Sequence, residues 1–216
     1  MLSFLTAALL VAEPTLAMES PSSEPQAPVG QASLAPAVLP QGSLALFTLV
    51  GAPELGAGYR QGFRPLELDA TATVNYLQLS FTAELATRLQ AYASGNFQLG
   101  AVLGLGFVAN SGSTYYDPQN FALVGLRPRL GLVASHQAME RLALLATADL
   151  PLAIGLSSAG VQALPTLGAG AEVSVGGGVS LLALGQLGID ASRSPAGVST
   201  VRLGWAVRFG VGFRLF

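Results

Sequence analysis

The residues of this chain that could act as a nucleophile and a base stand next to each other, as Ser135-His136. The chain has one histidine and no cysteine, so thiol nucleophiles, disulfides and thiolate metal sites are excluded. Neighbouring residues on a β-strand point to opposite faces, so this pair cannot act together inside a strand. We therefore expect no enzyme activity, no catalytic residue, no metal site and no cofactor.

The remaining chemistry belongs to charged side chains, which make up only 10% of the sequence. The basic residues are all arginine, the net charge is −2 and no basic run occurs. Nucleic-acid binding needs a basic surface, so we expect no nucleic-acid partner. Hydrophobic residues make up 51% of the chain, which is high for a soluble domain. The composition therefore indicates contact with lipid.

The C-terminal segment indicates how the charged residues are positioned. Between positions 201 and 215, large apolar residues occupy the odd positions, whereas Arg202, Arg208 and Arg214 occupy even ones. A β-strand points alternate side chains to opposite faces. An arginine that faces lipid costs about 2–4 kcal/mol at the bilayer midplane. The pattern therefore predicts a strand of a transmembrane barrel, with its arginines directed into the lumen.

The same alternation in earlier segments assigns further charged residues to the lumen. Buried charges are costly unless they are paired, so we expect them to form ion pairs. Structural filling of the lumen is the preferred interpretation, and a proton or small-ion path is the alternative. The predicted lumen charges are Glu54, Glu67, Asp69, Arg127, Arg129, Asp149, Glu172, Asp190, Arg202, Arg208 and Arg214.

The number of strands is predicted from turn-rich breaks. A bundle of transmembrane helices is a rival, because 150–171 and 173–189 are largely uncharged, but glycine, proline and serine interrupt both and the alternation has period two. A change of phase near Tyr76 is interpreted as a β-bulge, with a tight hairpin as the alternative. Seven breaks predict an all-β antiparallel up-and-down barrel of about 8 strands. The breaks are 60–65, 87–90, 110–120, 135–141, 156–162, 176–178 and 190–198.

The sequence divides into three parts. Residues 1–17 contain an apolar stretch that is too short to span a bilayer, followed by a small-residue site, and are predicted to be a signal peptide cleaved after Ala17. Residues 18–42 are rich in proline and serine and are expected to be a disordered periplasmic lead-in. Residues 43–216 are expected to form the barrel.

The last nine residues, Arg208-Phe209-Gly210-Val211-Gly212-Phe213-Arg214-Leu215-Phe216, resemble the terminal-strand signal of outer-membrane barrels. With about eight strands, the chain resembles the small OmpA/OmpX-type barrels, without a peptidoglycan-binding domain. This resemblance implies a bacterial outer-membrane location, with membrane lipids and the barrel-assembly machinery as partners. The residues that would carry the assembly signal are Arg208, Gly210, Phe213, Leu215 and Phe216.

An eight-stranded barrel is only wide enough for side chains to fill. We therefore expect a plugged lumen and a structural or interaction role at the envelope. A narrow solute or ion channel is the alternative, and a lipid-modifying enzyme is a remote one. Tyr115, Tyr116 and Asp117 in loop 110–120 form a candidate recognition loop for an unknown surface ligand, although an ordinary polar hairpin would also explain them.

Overall fold

The computed structural model describes residues 32–63, 65–156 and 159–215, and these residues form eleven β-strands. Among them, no helix is long and apolar enough to cross a membrane. The strands are β1 (Leu44–Ala52), β2 (Glu54–Gly62), β3 (Leu66–Asn75), β4 (Ser80–Ser94), β5 (Phe97–Ser111), β6 (Ala122–Met139), β7 (Leu142–Gly155), β8 (Val161–Ala163), β9 (Thr166–Gly176), β10 (Val179–Arg193) and β11 (Ser199–Leu215).

Hydrogen bonds close these strands into a barrel. All pairings are antiparallel, and β11 pairs with both β10 and β1, which leaves no free sheet edge. β8 and β9 each lie between β7 and β10, one after the other, and so share one position. The ring therefore has ten positions, occupied by β1 to β7, by β8 with β9, by β10 and by β11. The prediction of about eight strands is wrong.

Two turns that the sequence prediction did not include account for the difference. Pro53 separates β1 from β2, and the chain reverses at 76–79 in a hairpin turn rather than a β-bulge. The Asn75 side chain stabilises this turn by accepting hydrogen bonds from the amides of Leu77 and Gln78, each at 3.0 Å. The break predicted at 87–90 lies inside β4, because the chain turns later, at Gly95 and Asn96.

The connections distinguish the two ends of the barrel. One end carries the first residue of β1, the last residue of β11 and the short connections 63–65, 95–96, 140–141 and 177–178. The other carries the longer connections 112–121, 156–160 and 194–198. We call these the short-turn end and the loop end. In transmembrane barrels the short turns are periplasmic and the longer loops extracellular. The predicted break at 60–65 corresponds to the connection 63–65 at the short-turn end.

The outer surface of the barrel is apolar along the strands. Leu85 is 70% exposed, Leu105 57% and Leu203 70%, although each lies inside a strand of the closed ring. Leucines at such exposure would form a large apolar patch in water, whereas hydrocarbon is their natural surrounding. The strand pairing and this surface together indicate a transmembrane barrel.

Replacing Leu105 with arginine should measure the lipid contact of this surface. Leu105 lies near the middle of β5, so Leu105→Arg should lower the free energy of unfolding by about 2–4 kcal/mol in liposomes, as followed by denaturant titration. His136 also lies on the outer face but near the short-turn end of β6, so His136→Arg should cost only about 0–1 kcal/mol. Equal costs at the two positions would contradict a membrane centred on the strands.

Candidate functional site in the barrel lumen

Residues 32–39 lie inside the barrel, near its short-turn end, and every one of them is buried. We call this segment the plug. It was expected to belong to a disordered lead-in over 18–42, but the structure places it in the lumen. Residues 18–31 and the predicted signal peptide, 1–17, lie outside the described residues. The amino-acid composition of this segment did not predict its ordered position, because the segment is held by charged side chains of strands that are distant in sequence.

Glu172 of β9 holds the backbone amides of the plug. Its carboxylate accepts hydrogen bonds from the amide of Ser33 at 2.8 Å, from that of Leu34 at 2.9 Å and from that of Ala35. It also accepts a hydrogen bond from the Ser180 hydroxyl, which itself lies 2.5 Å from the hydroxyl of Ser33. Glu172 is fully buried, so these donors replace its lost hydration.

Arg60 of β2 holds the carbonyl groups of the same segment. Its guanidinium donates to the carbonyls of Ser33, Leu34 and Pro36 at 2.8–2.9 Å. Arg60 also pairs with Glu67 of β3, whose carboxylate accepts a 2.6 Å hydrogen bond from the amide of Leu39. Both charged side chains are fully buried. Side chains of the barrel thus bind the plug mainly at the backbone groups of the plug.

Inward glycines provide the room that the plug occupies. A Cβ atom on Gly212 would lie 2.3 Å from the hydroxyl oxygen of Ser33, and one on Gly62 would lie 2.6 Å from the carbonyl oxygen of Leu39. Neither contact leaves space for a side chain. The glycine positions therefore match the path of the N-terminal segment through the lumen.

Farther toward the loop end, charged side chains pair with one another instead of with the plug. Arg129 donates to Glu84 at 2.8 Å and to Asp149 at 2.6 Å, and Arg208 pairs with Glu54. Glu84 and Arg129 lie on β4 and β6, on either side of β5, and meet over Gly104, where a Cβ atom would lie 3.2 Å from the Glu84 carboxylate. We call Glu54, Glu84, Arg127, Arg129, Asp149 and Arg208 the charge ring.

The loop between β5 and β6 folds back toward the lumen. Asp117 is buried and pairs with Arg202, which also contacts Asp190 at 2.7 Å. Asp117 also accepts a 3.0 Å hydrogen bond from Gln78. Of the candidate recognition residues, Tyr115 and Tyr116 are 81% and 64% exposed, and their rings meet edge to face at 4.6 Å. Asp117 instead anchors the loop, because its carboxylate is directed toward Arg202.

A cavity of about 420 Å³ remains between the plug and this loop. Its apolar wall includes Leu34 of the plug with Phe47, Leu145 and Leu182, and these four belong to one buried cluster. Charge-ring side chains line another part of it. A ten-position ring is wider than the expected eight, so inward side chains alone do not fill it. A chain segment, the plug, occupies part of the lumen, and side chains do not fill the rest of it.

The structure places all the predicted lumen charges on the inward side, in three groups. Near the plug lie Glu67, Asp69, Glu172 and Arg214; in the charge ring lie Glu54, Arg127, Arg129, Asp149 and Arg208; near the loop lie Asp190 and Arg202. Sequence reasoning missed Arg60, Glu84 and Arg88. Arg60 and Arg88 fell in predicted breaks and were therefore not assigned to a face. The alternation along β4 would have assigned Glu84 to the lumen.

The other predicted residues are distributed over both faces. Ser135 is inward and accepts a 3.2 Å hydrogen bond from the amide of Ala37, whereas His136 is exposed on the outer face. Of the predicted assembly signal, Gly210 faces inward and Phe213 and Leu215 are exposed outward. Arg208 belongs to the charge ring, and Phe216 lies outside the described residues. Among the described residues, no cluster of histidine, cysteine, aspartate and glutamate could hold a metal ion.

Replacing Glu172 with glutamine should loosen the plug. Glutamine keeps the size of the side chain but loses the charge that accepts several donors, and a hydrogen bond to a charged group contributes about 1.5–3 kcal/mol. We expect faster hydrogen exchange at the amides of Ser33, Leu34 and Ala35, measured by mass spectrometry of the folded protein. Glu140→Gln, in an exposed turn, is the control and should leave exchange unchanged. Unchanged protection in Glu172→Gln would contradict this assignment.

Acid should release the loop through Asp117. Burial raises the pKa of Asp117, but hydrogen bonds from Arg202 and Gln78 outweigh it and hold the pKa below its ordinary value. A carboxyl with a lowered pKa stabilises the folded arrangement at higher pH and loses that effect as the pH falls through the folded pKa. A spin label at Thr114→Cys should therefore stay immobile at a pH of about 4 and become mobile only in stronger acid. In Asp117→Asn the label should be mobile throughout, and identical profiles would refute the anchor.

Comparison with known proteins finds likeness only at the level of structure. No family model matches the chain, and no curated protein matches it. A bacterial polysaccharide outer membrane secretin is 14% identical with a TM-score of 0.44, over 78% of this chain and 58% of that one. A loop-deletion mutant of OmpT, an outer membrane protein of Vibrio cholerae, is 13% identical with a TM-score of 0.38, over 74% of this chain and 62% of that one.

The KdgM porin is 10% identical with a TM-score of 0.37, over 81% of this chain and 99% of that one. The chain thus spans only 58% of the secretin and 62% of the OmpT mutant, although it covers nearly all of KdgM. Two of these proteins are described as outer membrane proteins and the third as a porin, and their likeness to this chain is distant. The fold of the chain follows from its own strand pairing and lipid-facing surface: it is a closed, antiparallel transmembrane β-barrel.

Proposed function

We propose that this chain is a non-enzymatic barrel of the bacterial outer membrane, and that its resting lumen is closed by its own N-terminal segment. Its role is structural, or it presents the loop end to a partner at the envelope. The observation that carries this proposal is the plug, whose backbone is bound by the fully buried side chains of Glu172, Arg60 and Glu67. The proposal includes no cofactor and no nucleic-acid partner.

The energetics of the plug favour a closed lumen. Charged groups that are fully buried remain stable only when donors and acceptors replace their hydration. Removing one partner from such a group costs about 3–5 kcal/mol in a dry interior. Withdrawal of the plug would strip Glu172 and Arg60 of most of their partners at once. In the closed state both charged groups are satisfied by the plug, whereas in an open lumen water would have to replace its donors and acceptors.

The outer surface and the two ends of the barrel support the proposed location and partners. The apolar outer face requires lipids, and a closed strand ring is the β-structure that can span them. Short turns at one end and longer loops at the other match the sidedness of outer-membrane barrels. We include the barrel-assembly machinery as a partner because β11 ends in the outward residues Phe213 and Leu215. Tyr115 and Tyr116 are the candidate contact for a surface ligand.

A second function, a narrow solute channel, is favoured by one observation. The cavity of about 420 Å³ occupies the lumen directly beyond the plug, so the plug is the main obstruction at the short-turn end. Movement of residues 32–39 out of the lumen would open a path that carries charged groups on its wall. The two functions therefore differ in whether the plug leaves the lumen under working conditions.

Locking the plug to the wall should separate the two functions. The Ser33 and Ser180 hydroxyl oxygens are 2.5 Å apart and the chain has no cysteine, so Ser33→Cys with Ser180→Cys should form one disulfide. In planar bilayers, we expect the wild type and the oxidised double variant to be silent, and a variant that lacks residues 32–39 to conduct. Heat-dependent migration on gels checks that each variant is folded.

The outcomes are distinguishable. Stable openings of the wild type that disappear in the oxidised double variant and return on reduction would overturn the closed resting state and establish the channel. Openings that persist in the oxidised variant would also overturn it, because current would then pass beside the plug. Silence of the folded deletion variant would refute the plug as the main obstruction.

A further inference from the structure

The lumen cavity has the size and the mixed lining of a small-molecule site. Its volume of about 420 Å³ lies within the range of about 300–1,000 Å³ that is usual for such sites. It is bounded by the plug below and by Asp117 and Tyr116 of the loop above. Ligand sites typically combine an apolar wall with a few polar groups that fix orientation, and this cavity offers both.

The apolar wall is continuous and largely buried. Leu34, Phe47, Leu145 and Leu182 pack in one cluster, and Leu49 and Leu184 pack against it and also face the cavity. Water inside a lumen would gain few hydrogen bonds from such a surface. The contact is more favourable for an apolar group of a ligand.

Arg127 is the charged group of the cavity with donors to spare. It faces the cavity with 24% of its side chain exposed, and among the described residues its guanidinium makes no hydrogen bond. Its closest carboxylate oxygen belongs to Glu84, at 3.6 Å. Arg129 donates to Asp149 and to one oxygen of Glu84, and Arg208 donates to Glu54. The other oxygen of Glu84 accepts no hydrogen bond from the described residues, and it is the one that lies 3.6 Å from Arg127. The contact between Arg127 and Glu84 is therefore an ion pair without a hydrogen bond.

The charges that line the cavity indicate what charge a ligand should carry. The charge ring is neutral, with three arginines and three carboxylates. The rest of the cavity lining adds two arginines and three carboxylates, in the pairs of Arg88 with Asp69 and of Arg202 with Asp117 and Asp190. The lining as a whole therefore carries a net charge of −1, which favours a ligand with a single negative charge placed at Arg127 over one with two. A doubly charged phosphate would lie near the carboxylates of the charge ring and would find only one guanidinium, that of Arg127, with donors that make no hydrogen bond to the described residues. The planar fork of a guanidinium matches a carboxylate, which it can bind through two parallel hydrogen bonds.

We propose that the cavity binds a small amphiphilic carboxylate. The carboxylate is held by Arg127, and the apolar chain lies against the wall formed by Leu34, Phe47 and Leu182. The ligand enters from the loop end, where Asp117 and Arg202 cover the cavity. This site does not depend on whether the barrel conducts, since it lies beyond the plug.

Octanoate is the probe for this site. The folded full chain is reconstituted in lipid nanodiscs and titrated with octanoate by calorimetry, and empty nanodiscs give the blank for partition into lipid. We expect saturable binding of octanoate to the wild type and at least tenfold weaker binding of octanamide, which has the same length and no charge. A charge-assisted hydrogen bond of ordinary strength accounts for such a factor.

Two substitutions test the two halves of the site. Arg127→Gln should weaken octanoate binding at least tenfold and leave octanamide binding unchanged. The matched control is Arg193→Gln, which removes the same charge from an exposed position at the loop end of β10 and should change neither. Leu184→Trp fills the apolar part of the cavity without changing any charge and should weaken both probes.

The proposal is overturned if octanoate binds the wild type no better than empty nanodiscs. It is also overturned if Arg127→Gln binds octanoate as the wild type does, or if Leu184→Trp has no effect on either probe. If Arg127→Gln fails to fold, as judged by heat-dependent migration on gels, the comparison of octanoate with octanamide on the wild type and on Leu184→Trp still decides the outcome.

Discussion

The structure depends on one constraint, that hydrocarbon offers no hydrogen-bond partner to a peptide group. A strand in lipid must therefore bond to neighbours on both sides, and the pairing of β1 with β11 meets this requirement for the whole sheet. Once the ring is closed, alternate side chains must face either lipid or the lumen. Apolar side chains such as Leu105 then cover the outside, and the charged side chains are concentrated within.

Ring size determines what the lumen must contain. Eight strands leave space that side chains can fill, whereas ten leave more. Here part of the additional space is taken by residues 32–39, and part remains as the cavity. The plug needs backbone partners because it forms no sheet, and Glu172 and Arg60 supply an acceptor and a donor for consecutive peptide groups. The N-terminal segment is therefore a structural element of the barrel interior.

Period-two alternation allowed the fold class and the direction of many side chains to be predicted from the sequence. It worked best in β11, where a register shift of one residue would turn Arg202, Arg208 and Arg214 toward lipid. It failed at the turns. The tight connections at Pro53 and at 76–79 carry little glycine or polar sequence, and the Asn75 turn depends on a side-chain hydrogen bond that composition does not reveal.

Contacts between distant segments could not be predicted in the same way. Alternation assigns Glu172 to the lumen, but nothing near it in sequence indicates that it binds amides 137 to 139 residues away. Arg129 and Glu84 lie on strands that are not neighbours, and their contact depends on the missing side chain of Gly104 between them. Inward glycines such as Gly104 thus determine which inward groups can meet.

The charged side chains around the plug and those of the charge ring differ in how much solvent reaches them. This difference determines how strong and how fixed their interactions are. Around the plug, Arg60, Glu67 and Glu172 have no exposed surface, so their hydrogen bonds act in a low dielectric and favour one fixed arrangement. In the charge ring, Arg127, Arg129 and Arg208 keep about a fifth to a quarter of their side chains accessible from the cavity. Their interactions are weaker and can be exchanged for those of a solute. The barrel thus holds fully buried charged groups around the plug at its short-turn end and partly accessible charged groups above them, around the cavity.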